Sequence, residues 1–140
     1  MNSVNHLKRD YEEIFRNLLE FEKIIDSEDI DNINLSYVFH KLMGLLLAHR
    51  KNEKSFFVEI KNKTDEDNSI NIKTERALIN TKSIRGHIMV INQAIMSKDD
   101  GRIKLALDND GRMLVSKIKD YIFKDEEALD RLLFLHIVTR

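Results

Sequence analysis

The sequence of 140 residues contains no cysteine and no proline, and it has only four glycines. Without cysteine the chain can form no disulfide bond, no thiolate nucleophile and no zinc–thiolate site. Any bound metal would therefore need His, Tyr, Asp or Glu ligands, which suit hard or borderline ions. Because proline and glycine interrupt helices, their scarcity favours long helical segments.

A large charge of one sign and long apolar runs are also missing. The formal net charge is -1, so no overall field attracts nucleic acid or an anionic membrane surface. The longest apolar run, LMGLLLA, is far shorter than the roughly 20 residues of a membrane-spanning helix. The polar N-terminus, MNSVNHLKRDYEE, is unlike a secretory signal. We therefore expect one cytoplasmic domain over residues 1–140, without a nucleic-acid or membrane partner.

Helical periodicity dominates the rest of the sequence. Apolar residues recur at spacings of three and four in four segments, which cover about residues 3–26, 34–62, 71–97 and 112–137. The polar stretches DSEDIDN and KNKTDEDNS separate the first three segments. Residues 102–108 predict a short helix, and DNDG at 108–111 predicts a break before the fourth segment. Four amphipathic helices with short connections predict an all-α fold, an up-down-up-down four-helix bundle.

Polar residues interrupt the apolar stripe of every predicted helix. The second and fourth helices each carry a pair spaced by one turn, and the first and third carry a single residue. These residues are Tyr11, His49, Glu53, His87, Tyr121 and Asp125. At a rise of about 1.5 Å per residue, their distances from the helix ends agree to within a few ångströms in an antiparallel bundle. We therefore expect all six side chains to meet in one layer of the core.

Two carboxylates in that layer need a compensating charge. A buried carboxylate without a partner is costly, and two of them in a dry layer repel each other or take up protons unless a cation lies between them. Carboxylates combined with imidazoles suit iron or manganese better than magnesium or calcium. The alternative for each residue taken singly is an ordinary hydrogen bond or a place near a helix end.

Four segments of the sequence resemble a known family. LKRDYEEIFRNLLEFEKI followed by LMGLLLAHRKNEKSFFVEI resembles the first half of the hemerythrin-like (HHE cation-binding) domains. GHIMVINQAI and IKDYIFKDEEALDRLL resemble their third and fourth helices. The resemblance implies a hemerythrin-like four-helix bundle that holds a pair of non-haem iron ions.

The resemblance also implies roles for individual residues. His49, Glu53, His87 and Asp125 fall on ligand positions of the family, in which two carboxylates bridge the irons and imidazoles fill the flanking positions. Dioxygen, nitric oxide or peroxide would react at an open position on one iron. The expected function is to sense or process such a small oxidant or diatomic gas, with an oxidoreductase or peroxidase-like activity left open.

Two positions depart from the family pattern. Tyr11 and Tyr121 stand where the family has histidine. In one interpretation tyrosinate binds ferric iron, which favours the ferric state over reversible dioxygen carriage. In the other the metal is lost, neutral phenols hydrogen-bond to the carboxylates, and a metal-free bundle acts as a protein-interaction or signalling module. Because only two imidazoles remain, a mononuclear iron, manganese or zinc site is a third alternative. The spare apolar residues off the main stripes either widen the core face or pack a homodimer; they are Phe15, Leu19, Phe39, Leu47 and Val58.

Overall fold

The computed structural model describes the backbone of residues 2–63 and 81–138 and the side chains of residues 5–56 and 83–131. The helices are α1 (Asn2–Asp26), α2 (Asn32–Lys63), α3 (Thr81–Ser97), α4 (Asp100–Ala106) and α5 (Arg112–Val138), with a π-helical turn, Leu107–Gly111, between α4 and α5. Within these two stretches the fold is all-α and contains no strand, as predicted. The predicted loop at 61–69 and the predicted first turns of the third helix fall largely outside the described residues.

Aspartates fix the starts of two helices. The Asp31 carboxylate accepts hydrogen bonds from the backbone N–H of Ile33 and Asn34, at 3.0 and 3.3 Å. Asp99 does the same at the start of α4, where it accepts from Gly101 and Arg102. Such caps satisfy the N–H groups that the first helical turn leaves unpaired. The two connections, from α1 to α2 and from α3 to α4, are therefore short and defined by the sequence.

The predicted chain break at DNDG does not occur. Instead the helix continues from α4 through the π-helical turn into α5. Gly111 is buried, and a Cβ atom there would lie 3.2 Å from Ile25 Cδ1. Glycine thus permits close packing of this turn against the end of α1. Asp, Asn and Gly have low helix propensity, but the wider π turn accommodates the segment and contacts with α1 stabilise it.

Two ring contacts show how α1 and α2 are arranged. The Phe21 ring contacts that of Phe39 with centroids 6.0 Å apart, and the Tyr11 ring contacts that of His49 at 4.7 Å. The residue numbers fall along α1 as they rise along α2, so the two helices are antiparallel.

Two ion pairs show how α1 and α5 are arranged. Arg112 binds Asp26 at 2.9 Å near one end, and Lys8 binds Asp130 at 3.3 Å near the other. These helices are therefore antiparallel as well, which brings the middle of α1 between the middles of α2 and α5. Helix α3 packs mainly on α4, the π-helical turn and α5.

The buried apolar side chains form one continuous core. Those of the predicted stripes that the structure describes are buried, with relative exposures of 0–8 %; they are Leu7, Ile14, Leu18, Phe21, Ile25, Leu35, Val38, Leu42, Leu46, Phe56, Ile84, Ile91, Ala94, Leu114, Ile118 and Leu129. Among the spare apolar residues, Phe39 joins the core, Phe15, Leu19 and Leu47 are exposed, and the side chain of Val58 lies outside the described residues. In the described part of the chain, every helix is too short or too polar to cross a bilayer.

Candidate metal centre

Five of the six side chains singled out by the sequence meet at the interface of three helices. Tyr11 comes from α1, His49 and Glu53 from α2, and Tyr121 and Asp125 from α5. The side chains of His49, Glu53 and Asp125 are buried, with relative exposures of 1, 0 and 2 %. One donor atom from each of these three residues lies within 4.8 Å of the other two. The antiparallel pairing of α1 with its two neighbours accounts for this convergence.

Each buried carboxylate receives a hydrogen bond from a tyrosine on another helix. The Tyr11 hydroxyl donates to Asp125 Oδ2, which connects α1 to α5. The Tyr121 hydroxyl donates to Glu53 Oε2, which connects α5 to α2. Both tyrosine rings also pack against the His49 ring in a T-shaped arrangement, with centroids 4.7 Å apart for Tyr11 and 6.2 Å apart for Tyr121. The phenols therefore enclose the imidazole and hold both carboxylates.

The inner nitrogen of His49 lies between the two carboxylates. His49 Nε2 is 3.1 Å from Glu53 Oε2 and 3.5 Å from Asp125 Oδ2. Within the described residues Nε2 makes no hydrogen bond to either oxygen, and the buried Glu53 Oε1 has no hydrogen-bond partner. The imidazole and the two carboxylates therefore form a buried ion pair at Nε2 without an aligned hydrogen bond.

The outer nitrogen of His49 has a well-defined partner that the sequence pattern did not reveal. His49 Nδ1 is 3.2 Å from Asp10 Oδ2, and the Asn52 amide donates to the same oxygen at 3.0 Å. The Asp10 side chain is 18 % exposed. Asp10 and Asn52 each stand one position away from a stripe residue, which turns them by about 100° toward the neighbouring helix. The sequence feature that could have identified Asp10 and Asn52 is their position next to Tyr11 and Glu53.

Burial and neighbouring charges change the acidity of these groups. Burial alone would lower the pKa of His49, but the carboxylates of Asp125, Glu53 and Asp10 outweigh it and raise the pKa to about 10. Burial raises the pKa of Glu53 to about 7, with a further rise from Asp125 that His49 and Tyr121 oppose. Burial and the nearby carboxylates also raise the pKa of Tyr11 and of Tyr121 above the ordinary value of 10.0. Without metal, the phenols are therefore neutral and the imidazole is a cation at neutral pH.

The structure does not bring His87 into this cluster, so the expected layer of six side chains is wrong for this residue. His87 Nδ1 is 2.9 Å from Asp110 Oδ1, and Nε2 is 3.1 Å from Lys117 Nζ. Lys117 also donates to the backbone carbonyl of Ser83 at 3.0 Å. Because α3 packs on the π-helical turn, His87 lies level with the segment between Asp110 and Lys117, which is at least one helical turn from Tyr121.

Comparisons with protein-family models, with curated proteins and with solved structures found no match for this chain. The resemblance to hemerythrin-like domains therefore rests on the sequence segments quoted above.

The donor atoms of the cluster fit a cation of borderline hardness. His49 offers one nitrogen, and Glu53 and Asp125 offer carboxylate oxygens within 4.8 Å. Tyr11 and Tyr121 add two phenol oxygens next to them. Two buried atoms of this cluster, His49 Nε2 and Glu53 Oε1, have no hydrogen bond in the described part of the chain, and they are of the two types that iron, manganese and zinc bind together.

Proposed function

We propose that the chain binds a single iron ion through His49, Glu53 and Asp125, inside an up-down-up-down four-helix bundle of the hemerythrin-like type. The observation that supports this most is that two buried atoms of the cluster, His49 Nε2 and Glu53 Oε1, have no hydrogen bond within the described residues. A buried polar group without a partner costs about 1–3 kcal/mol. A cation bonded to both atoms would remove that cost and would neutralise the two carboxylates.

The number of imidazoles favours one ion over the pair that the resemblance implies. A second iron would need further nitrogen ligands, and His87 was the expected source. Both His87 ring nitrogens are engaged, with Asp110 and Lys117. One imidazole, two carboxylates and two phenols together approach the ligand number of one octahedral ion. Manganese and zinc are the alternative metals for the same donors.

The oxygen-rich donor set supports a role with small oxidants. Anionic oxygen ligands favour the higher oxidation state of iron, so the site suits a response to peroxide, nitric oxide or dioxygen rather than reversible dioxygen carriage. Bound iron would supply one-electron redox chemistry. Tyr11 and Tyr121 hold a proton at each carboxylate; as phenolates they would instead bind the ion directly. The surrounding apolar core limits the access of water to these groups.

The metal content of the protein tests this proposal. After expression in iron-supplemented medium, we expect close to one iron per chain in the wild type. The isosteric double variant Glu53→Gln with Asp125→Asn should lose it. A matched control, Glu20→Gln with Asp130→Asn, removes two exposed carboxylates and should keep it. Less than about one iron per ten wild-type chains would contradict the proposal.

Visible spectroscopy then distinguishes the two roles of the tyrosines. Phenolate bound to ferric iron gives a broad charge-transfer band. If Tyr11 and Tyr121 are ligands, the band should be present in the wild type and absent from Tyr11→Phe with Tyr121→Phe. If the phenols only donate hydrogen bonds, the iron content should persist in that variant and no such band should be seen in either protein.

A second candidate function has its own supporting observation. Each carboxylate already has a phenol donor, and the raised pKa of His49 provides a positive charge beside both carboxylates. Without metal, the buried carboxylates are thus already paired with phenols and with a positively charged imidazole. Exposed apolar side chains such as Phe123, which is 72 % exposed, suit a protein-interaction or signalling module. A chelator should lower the melting temperature markedly if metal is bound and leave it unchanged in this second case.

A further inference from the structure

The surface-facing side of His49 carries a feature that the metal ligands alone do not explain. Asp10 lies on α1, and its two hydrogen-bond donors among the described residues, His49 Nδ1 and the Asn52 amide, lie on α2. The two donors share one oxygen, Asp10 Oδ2, at 3.2 and 3.0 Å. The contact crosses the interface between α1 and α2 and closes the outer side of the cluster.

We propose that Asp10 is a positioning residue, which fixes the tautomer and ring orientation of His49 so that Nε2 faces the carboxylates of Glu53 and Asp125. This inference rests on the proposed metal site. A neutral imidazole has one N–H donor and one acceptor nitrogen, and the partner of the donor decides which nitrogen is left for a metal. With Asp10 accepting from Nδ1–H, Nε2 is the nitrogen that gives up its proton to a metal bound inside the cluster.

The surroundings show why a side-chain anchor is needed at this position. The inner edge of the ring meets carboxylates at 3.1 and 3.5 Å without an aligned hydrogen bond, so the inner side does not fix the ring. The Tyr11 ring contacts the imidazole from the side, at a centroid distance of 4.7 Å, and limits tilting without selecting a nitrogen. Asp10 supplies the directional contact, and Asn52 holds the Asp10 carboxylate in place. Removal of a carboxylate that binds the outer nitrogen of a metal-bound histidine typically lowers the metal affinity by roughly 10–100-fold.

Titration with Co(II) alone, followed by its visible absorption, tests the inference. Asp10→Ala should weaken Co(II) binding roughly 10–100-fold. Asp10→Asn should lie closer to the wild type, because an amide oxygen still accepts from Nδ1–H. The matched control is Asp130→Ala, which removes an exposed aspartate that binds Lys8 of α1 but is not in contact with His49. It should bind Co(II) as the wild type does.

Nitrogen NMR of the zinc-loaded protein provides a readout that general destabilisation would not produce. In the wild type, His49 Nδ1 should carry the proton and Nε2 should be bonded to zinc. In Asp10→Ala the Nδ1 proton should exchange rapidly, or the two nitrogens should exchange roles. If Asp10→Ala does not fold, Asn52→Ala carries the test, with a smaller loss of affinity and the same change in the Nδ1 signal.

The outcomes separate this inference from the proposed function. If the wild type binds Co(II) and Asp10→Ala matches Asp130→Ala in affinity and in the Nδ1 signal, the positioning role is overturned and the metal site stands. If the wild type itself fails to bind Co(II), the proposed metal site is overturned, and the positioning role with it.

Discussion

Removing one phenol oxygen from the core is a direct test of how the cluster is held. Tyr11 is 2 % exposed, and its hydroxyl donates to Asp125, which is equally buried. Tyr11→Phe keeps the ring and deletes only this donor. Hydrogen bonds to charged groups contribute about 1.5–3 kcal/mol. We therefore expect the free energy of unfolding to fall by about 2 kcal/mol, and the melting temperature by roughly 5–10 °C for a chain of this size.

Urea and thermal denaturation in the presence of a chelator measure this effect without a contribution from metal. The raised pKa of Tyr11 keeps its hydroxyl protonated at neutral pH, so pH 7 is a suitable condition. The control is Tyr37→Phe, which alters a side chain that is 65 % exposed and should change the stability by less than about 0.5 kcal/mol. If Tyr11→Phe costs no more than Tyr37→Phe, the Tyr11 hydroxyl does not stabilise Asp125, and the reasoning about the cluster is wrong.

Three further predictions concern protons and the histidines. The pKa of Glu53 is raised from 4.5 to about 7 and that of His49 from 6.5 to about 10, so the folded metal-free protein binds more protons than the unfolded chain. The free energy of unfolding should therefore fall as the pH rises through 4.5–7, because of Glu53, and through 6.5–10, because of His49. Urea denaturation measures this, and a free energy of unfolding that is highest above about pH 8 would refute the prediction. Because metal must displace protons from His49 and Glu53, Co(II) affinity should instead increase from pH 6 to pH 8; an affinity that does not vary with pH would argue against these ligands. Finally, His87→Ala should leave Co(II) affinity unchanged, since His87 binds Asp110 and Lys117, and a loss as large as that of His49→Ala would contradict its position outside the cluster.

The apolar stripes could be predicted because helical geometry alone determines which residues share a face. In α1 the spacing from Leu7 to Ile25 selects one side of the helix, and that side is buried. The convergence of Tyr11 with His49 and Asp125 could be predicted because antiparallel helices with short connections keep equal depths in register. Both inferences need only the rise per residue and the helix ends.

The errors arose where packing between helices decided the outcome. Gly111 belongs to a segment of low helix propensity, but its contact with Ile25 stabilises a π-helical turn that propensity does not predict. The prediction for His87 assumed that α3 packs beside the layer formed by α1 and α2. Instead α3 packs on the turn that carries Asp110, and His87 binds that residue. Asp10 lies off the apolar stripe, so a pattern that ranks only inward-facing residues does not detect its contact with His49.

Anomalous diffraction at the iron edge, from crystals grown with ferrous iron, tests the central claim most directly. We predict a single anomalous peak within bonding distance of His49 Nε2 and of the carboxylates of Glu53 and Asp125. Two peaks about 3.5–4 Å apart would restore the pair of irons and contradict the single ion. If no peak lies among these three side chains, the cluster is not a metal site.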